Sequence, residues 1–381
     1  MSQIKYLYIS DTAESEPPVQ NGEGIMVIDA EGAYYITALI SNELYNSDIY
    51  APEINWYLRY TQEQSEAKKE IFKALYEIRY IRHKNSFVKK HSLDVQRSVA
   101  IIGEGEEADA FVEYAERFFE VTYISPSKLL GVEGELGAFR VSFEAFNEEE
   151  EKEEQQELSI AQIIFCDANN ELTKKMGVES LEGNDTEELV KRFRNRIGWY
   201  EYAESLKFEP TKCLFMHQDE PTCKSCLDVC PTHGLSYDEE KKEIYFSHLD
   251  CIDCGVCVSV CPHEALDFVY FTKEAFLEVA KLSKGKKVLL IAEKYLKEVL
   301  DFELPAGFLP LVVETDSFLT QFHFESLLQE TESCVLLYAP KVTAVSVQAI
   351  EILNQTRGER IFVAKNQEEL EASFKLMDTK G

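Results

Sequence analysis

Positive charge is scarce in this chain of 381 residues. Lys and Arg total 39 against 69 Asp and Glu, a net charge of -30 at pH 7. Nucleic acid selects clustered Lys and Arg to neutralise its phosphates, and anionic membrane surfaces do the same, so the balance argues against both. It suits a partner with a basic face. No run of about 18 apolar residues occurs, so no transmembrane segment is expected. The opening "MSQIKYLYIS" lacks the long apolar segment and small-residue cleavage site of a secretory signal, which makes the cytoplasm the expected compartment. A P-loop, a metalloprotease helix and a Ser–His–Asp triad are all missing as motifs. Ten cysteines are too few for a disulfide scaffold in a chain this long.

What is present is a chain 45% apolar and 12% aromatic, able to bury cores in two or three domains. Residues 1–205 read as a Rossmann-like α/β region. "GIMVIDA" is a short apolar run, and "AYYITALI" carries an apolar face that suits strand or helix. Ile71, Leu75, Ile78 and Ile81 fall at helical spacing across Glu66–Lys84. The basic end of that helix is expected to complement its dipole. Arg97–Ser125 reads as strand, Gly-containing turn, helix and strand, a βαβ half-unit, and Ile160–Ala168 as another buried strand. The acidic run Glu148–Glu157 between them is expected to be a solvated loop. "DTEELVKRFRNRIGWYEYAESL" reads as a helix capped by Asp185 or Thr186. Residues 273–381 alternate apolar strand-length runs with helical patterns, which predicts a C-terminal α/β domain with a mostly parallel sheet. The fold class is therefore α/β and α+β, in three domains, with residues 206–272 as the central α+β part.

Eight of the ten cysteines fall within residues 213–261. Clustered cysteines in a cytosolic protein point to metal. "CIDCGVCVSVCP" gives Cys251-x2-Cys254-x2-Cys257-x3-Cys261-Pro262. This is the bacterial ferredoxin run and a poor zinc spacing. Cys251, Cys254 and Cys257 wrap one iron–sulfur cubane, while Cys261 leads away to another. Gly255 permits the tight turn between ligands. Cys230, followed by Pro231, matches Cys261 in the other half. Cys230, Cys251, Cys254 and Cys257 are thus expected to hold one [4Fe–4S] cluster. Cys223, Cys226 and Cys261 are left to hold a second and lack one ligand.

The position three residues before Cys223 is Glu220, a hard oxygen donor poorly matched to a sulfide cage. His217 and Asp219 are nearby alternatives. Cys213 is soft, close in sequence, and completes the count of eight thiolates for two cubanes, so it is the expected fourth ligand. The competing reading leaves an open-cornered cubane or a [3Fe–4S] centre, with Cys213 an ordinary thiol. "GLSYD" and "EIYFS" read as short strands about a charged turn, and Leu227, Val229, Ile252, Val256, Val258 and Val260 as apolar shielding. His233 and His263 are expected in turns. Cys166 and Cys334, in apolar strands, are expected to pack as small hydrophobes.

"GEGEEA", Gly103–Ala108, matches a dinucleotide fingerprint in a strand–helix context. Glu104, Glu106 and Glu107 would place carboxylates where a pyrophosphate must sit, and "VTYIS" ends without the acidic residue that holds a ribose. A tight turn whose glutamates complement the helix dipole is the expected reading.

Over residues 206–272 the chain resembles the bacterial two-cluster [4Fe–4S] ferredoxins. The longer form, Cys213-x9-Cys223-x2-Cys226-x3-Cys230-Pro231, resembles ferredoxin-like proteins associated with bacterial formate dehydrogenases, as does "LPAGFLPLVVETDSFL". A more distant similarity is to the delta subunit of methyl-viologen-reducing hydrogenase, whose paired cysteines are not found in this sequence. These resemblances imply single-electron delivery through two [4Fe–4S] clusters to or from a redox partner with a basic docking face, such as a formate dehydrogenase. Two alternatives come with it. One is a flavin- or nicotinamide-dependent oxidoreductase with the clusters as an internal relay. The other is a redox sensor or assembly factor with a labile cluster.

Overall fold

The computed structural model describes residues 6–9, 25–28, 51–85, 87–147, 152–167, 171–216, 223–232, 234–331 and 333–379. At the N-terminus β1 (Tyr6–Ile9) pairs in parallel with β2 (Ile25–Ile28), the strand inside "GIMVIDA". The "AYYITALI" segment lies outside the described residues. Two helices follow, α1 (Pro52–Tyr60), with Pro at its start, and α2 (Ser65–Asn85). Ile71, Leu75 and Ile78 are buried, as their spacing requires, and Ile81 at the end of the face is half-buried. The basic end of α2 is not simply a dipole complement. Arg79 and Arg82 are buried, Arg79 against Glu53 of α1 at 2.6 Å and Arg82 against Glu314 at 2.6 Å.

By backbone proximity the chain divides into two units. One holds Lys89–Leu206 and Pro210–Asp253; the other holds Met1–Val88, Lys207–Glu209 and Cys254–Gly381. In the first, β3 (Lys90–Val95) leads to β4 (Ser98–Ile102), α3 (Glu106–Ala115) and β5 (Glu120–Ile124), and β4 and β5 pair in parallel. This is the expected βαβ unit. An antiparallel sheet follows, made of β6 (Leu129–Glu133), β7 (Phe139–Asn147) and β8 (Lys152–Ile160). Lys152–Glu157 of the acidic run therefore belongs to a strand, not to a loop. Residues 155–159 are exposed, so its charge is solvated as expected, but β7 supplies hydrogen bonds that no charge count reveals. Next come β9 (Gln162–Phe165), β10 (Val178–Ser180), α4 (Thr186–Arg196) and β11 (Gly198–Ala203).

The four parallel strands run in the order β10-β9-β4-β5. Alternation along β4 decides what covers each face. Val99 and Ile101 pack with Phe111 of α3 and with Leu189 and Phe193 of α4. Ala100 and Ile102 pack with Phe139, Val141 and Phe143 of β7 and with Ile160 at the end of β8. Helices thus cover one face and an antiparallel sheet the other. The helix α4 ends at Arg196 rather than running on to Leu206. Asp185 is its N-cap, accepting from Glu188 N at 3.0 Å, and the rest of the segment forms β11, antiparallel to β3. Gly103 sits where a Cβ would collide with the Cys166 side chain, and Gly105 has φ of 95° as N-cap of α3. Both glycines serve the turn, as expected.

β12 (Leu206–Phe208), α5 (Ser225–Asp228), β13 (Leu235–Asp238) and β14 (Glu243–Phe246) enter the cysteine region. β13 and β14 form the expected antiparallel hairpin. Beyond them lie α6 (Val256–Ser259), β15 (Leu266–Phe268), which pairs with β12, and α7 (Lys273–Leu282), capped by Thr272 accepting from Ala275 N at 3.3 Å. β16 (Lys287–Ala292), β17 (Phe308–Val313), α8 (Gln321–Thr331), β18 (Val335–Tyr338), α9 (Ala344–Arg357), β19 (Ile361–Ala364) and α10 (Gln367–Thr379) complete the chain. Their four strands pair in parallel in the order β17-β16-β18-β19, with near-continuous apolar burial. The molecule is therefore a mixed α/β protein, and its described residues form several sheets, two of them four-stranded and parallel. Among the described residues no helix is long and apolar enough to cross a membrane.

Candidate metal centre

All ten cysteines are free thiols. Disulfides therefore consume none of the eight thiols in the candidate centre, and each can serve as a soft donor for iron in a sulfide cage.

Cys213 follows a short 3-10 turn, Pro210–Lys212, and its N–H donates to Pro210 O at 3.0 Å. Two residues on, Phe215 is fully buried and meets Tyr237 of β13 edge-on, ring centroids 5.6 Å apart. The segment carrying Cys213 is thus pinned to the hairpin of the cysteine region. The alternative donors His217, Asp219 and Glu220 lie outside the described residues, as does His233.

Cys226 lies on the single turn of α5, with Cys223 just before it and Cys230 just after. Cys223 Sγ is 3.8 Å from Ser225 Oγ. Cys230 Sγ is 3.7 Å from Thr232 Oγ1, which also accepts from Gly234 N at 3.2 Å. Gly234 lies against the Cys251 backbone, which a Cβ on it would meet at an ordinary contact distance of 3.4 Å.

The run beginning at Cys251 is anchored by the residue before it. Asp250 is 3% exposed; its Oδ1 accepts from Met176 N at 2.8 Å and its Oδ2 from Ser247 Oγ at 2.8 Å. Leu249 is buried with Val95, Leu136 and Ala161. Cys251 Sγ itself lies 3.5 Å from Ser205 Oγ. Just upstream of Ser205, Glu204 meets Lys89 at 2.7 Å and His91 at 2.6 Å. Those hydrogen bonds, Lys89 first, hold its carboxyl down at about 2. Burial pushes the nearby His248 below its ordinary value.

The backbone then turns sharply. Asp253 and Gly255 both take left-handed conformations, φ 54° and 72°. At Gly255 this is the position glycine was expected to serve. Cys257 is buried on α6 with Val258 and Ser259. Cys261 Sγ accepts the Ala265 N–H at 3.2 Å, a backbone donor aimed at a candidate ligand sulfur. Thr315 Oγ1 donates to Cys254 O at 3.3 Å. Among the expected shielding residues Val258 is 4% exposed, but Ile252 is 54% exposed. An apolar residue between two candidate ligands points to shielding on pattern alone; here Ile252 faces outward just before the left-handed Asp253.

Cys213, Cys223, Cys226, Cys230 and Cys251 belong to the first unit, and Cys254, Cys257 and Cys261 to the second. Among the described residues no three His, Cys, Asp or Glu side chains are gathered closely enough to hold one metal ion. A cubane spreads its thiolates over four irons, so its ligands need not meet that condition. Burial pushes the thiol of Cys166, apart from this region, up to about 11, so it stays protonated at neutral pH.

Ser205, Thr232 and Thr315 escaped sequence reasoning. Thr232 stands two residues from the candidate ligand Cys230 and could have been flagged. Ser205 and Thr315 are 46 and 61 residues from the cysteines they meet, and no local pattern marks them.

A 4Fe-4S dicluster domain matches residues 221–265. The matched stretch holds Cys223, Cys226, Cys230, Cys251, Cys254, Cys257 and Cys261 and stops short of Cys213. None of the curated proteins matches the chain at a significant level. The domain match indicates 4Fe–4S cluster binding and an electron-transfer role.

Proposed function

We propose that the chain is an electron carrier, or a carrier subunit, that passes single electrons through two [4Fe–4S] clusters to or from a partner oxidoreductase. The observation behind this is the dicluster match over seven cysteines in near-ferredoxin spacing, with Cys213 just upstream of it and all of them free thiols. On sequence spacing, Cys230, Cys251, Cys254 and Cys257 hold one cluster, and Cys213, Cys223, Cys226 and Cys261 the other. The pinning of Phe215 onto Tyr237 supports a place for Cys213 in this region. Bound clusters would supply reversible one-electron transfer. The chain's residues hold the thiolates, direct hydrogen bonds to them and exclude water from buried Cys257.

The flanking α/β regions, Rossmann-like in residues 1–205 and parallel-sheeted in 273–381, serve the partner in this reading. The net charge of -30 favours a partner with a basic docking face, a formate dehydrogenase being one such candidate, in the cytoplasm. The flavin- or nicotinamide-dependent alternative draws only on Gly103–Ala108, where Glu106, Glu107 and Asp109 already fill the first turn of α3.

Anaerobic titration with dithionite, followed in the visible region, tests the proposal. A carrier takes up about two electrons per chain and returns them to an added acceptor. Release of a flavin on acid treatment would instead support the enzyme reading.

A further inference from the structure

Ser205 lies between β11 and β12, outside the matched cysteine domain, and is fully buried. Its Oγ stands 3.5 Å from Cys251 Sγ, a distance within reach of a hydrogen bond to the larger sulfur atom. A buried hydroxyl that loses its partner is costly, so this contact is a specified one. Its flank is fixed on both sides. Glu204 is held by Lys89 and His91, and β12 follows at Leu206. The Cys251 side is fixed by Asp250, which accepts from Met176 N and Ser247 Oγ.

We propose that Ser205 is a positioning residue for the cluster bound through Cys251, and that its hydroxyl raises that cluster's reduction potential. The inference rests on the reading of Cys251 as a cluster ligand. A thiolate can only accept, so with iron bound the Ser205 O–H is the donor. A hydrogen bond to a ligand sulfur withdraws negative charge from it. The reduced cluster carries one more electron than the oxidised one and gains more from that withdrawal. Removing the hydroxyl should therefore make the cluster harder to reduce. The other proposed cluster uses Cys213, Cys223, Cys226 and Cys261 and should be unaffected.

The test is an EPR-monitored redox titration of full-length wild type, Ser205→Ala and Ser205→Thr, purified anaerobically, with iron counted in each. The expected result is unchanged iron in Ser205→Ala, with one of two midpoints moved to lower potential and the other in place. Ser205→Thr, which keeps a hydroxyl, should return the midpoint towards wild type. Loss of one cluster in Ser205→Ala with retention in Ser205→Thr would also support a positioning role. Two unmoved midpoints in Ser205→Ala would overturn the proposal, as would equal loss in both variants, which would mark a packing effect. A wild type without reducible clusters would overturn the underlying reading instead, a result distinct from any of these.

Discussion

A Cβ built on Gly255 would lie 2.9 Å from the Cβ of Phe318, at the turn between Cys254 and Cys257. Phe318 is fully buried and stacks on Phe268 of β15, ring centroids 5.5 Å apart. Thr315, three residues earlier, reaches the Cys254 carbonyl from the same loop. The turn that carries two candidate ligands is therefore shaped by the segment after β17. Gly255→Ala should cost about 1–2 kcal/mol for the left-handed backbone and about 1–3 kcal/mol more for displacing Phe318. The midpoint of anaerobic urea unfolding, together with iron retained through a desalting column, checks this. Both should fall, and unchanged values would show that the turn tolerates a side chain.

Arg82 should be a large contributor to the unit that contains it. Its guanidinium is 5% exposed and meets Glu314 Oε1 through Nη2 at 2.6 Å and Nε at 3.0 Å, with Glu293 at 3.5 Å. The carboxylates beside it hold its pKa above the ordinary arginine value despite burial. Removing Arg82 deprives the partly buried Glu314 of a charged hydrogen-bond partner. Arg82→Met should therefore destabilise by about 1–3 kcal/mol, and the double variant Arg82→Met/Glu314→Leu should recover much of the loss. Chemical denaturation of the three proteins tests the difference.

His323 links stability to pH. It is 1% exposed, its Nδ1 accepts from Thr320 N at 3.0 Å, and Phe276 and Phe318 face it edge-on. Burial, with a smaller contribution from Lys273, drives its pKa from the ordinary 6.5 down to about 3. The folded state thus keeps it neutral while the unfolded chain takes a proton below pH 6.5. Stability contributed by the neutral ring is intact above 6.5 and falls as pH drops from there to about 3, by a few kcal/mol in order of magnitude. Unfolding free energy measured between pH 7 and 4 should decline less steeply in His323→Phe than in wild type. Parallel slopes would contradict the assignment.

Cys213→Ser should selectively weaken the cluster it shares with Cys223, Cys226 and Cys261. The cluster on Cys230, Cys251, Cys254 and Cys257 should remain. Roughly half of the iron should be lost, because each cubane holds four irons. Full iron with both EPR signals intact in the variant would return Cys213 to the role of an ordinary thiol.

Local signals carried much of the architecture. The 3.6-residue spacing of Ile71, Leu75 and Ile78 and the strand–turn–helix run from Arg97 appear as read, because each pattern reflects a face buried within one unit. The ligand turn was legible at Gly255 for the same reason. Misreadings arose where a distant partner decides the outcome. Lys152–Glu157 became strand through pairing with β7, and Arg82 found Glu314, 232 residues away. Phe139, Val141 and Phe143 cover the parallel sheet where a second helical layer is the usual cover. Ser205 and Thr315 belong to this class as well, since their meaning depends wholly on cysteines that only folding brings near.

The central claim, two reducible [4Fe–4S] clusters on one chain, is tested most directly by EPR spin quantitation on dithionite-reduced, anaerobically purified protein, with iron counted on the same sample. The expected result is about eight irons per chain and two cluster signals. Fewer than about six irons, or no reducible signal, would contradict it.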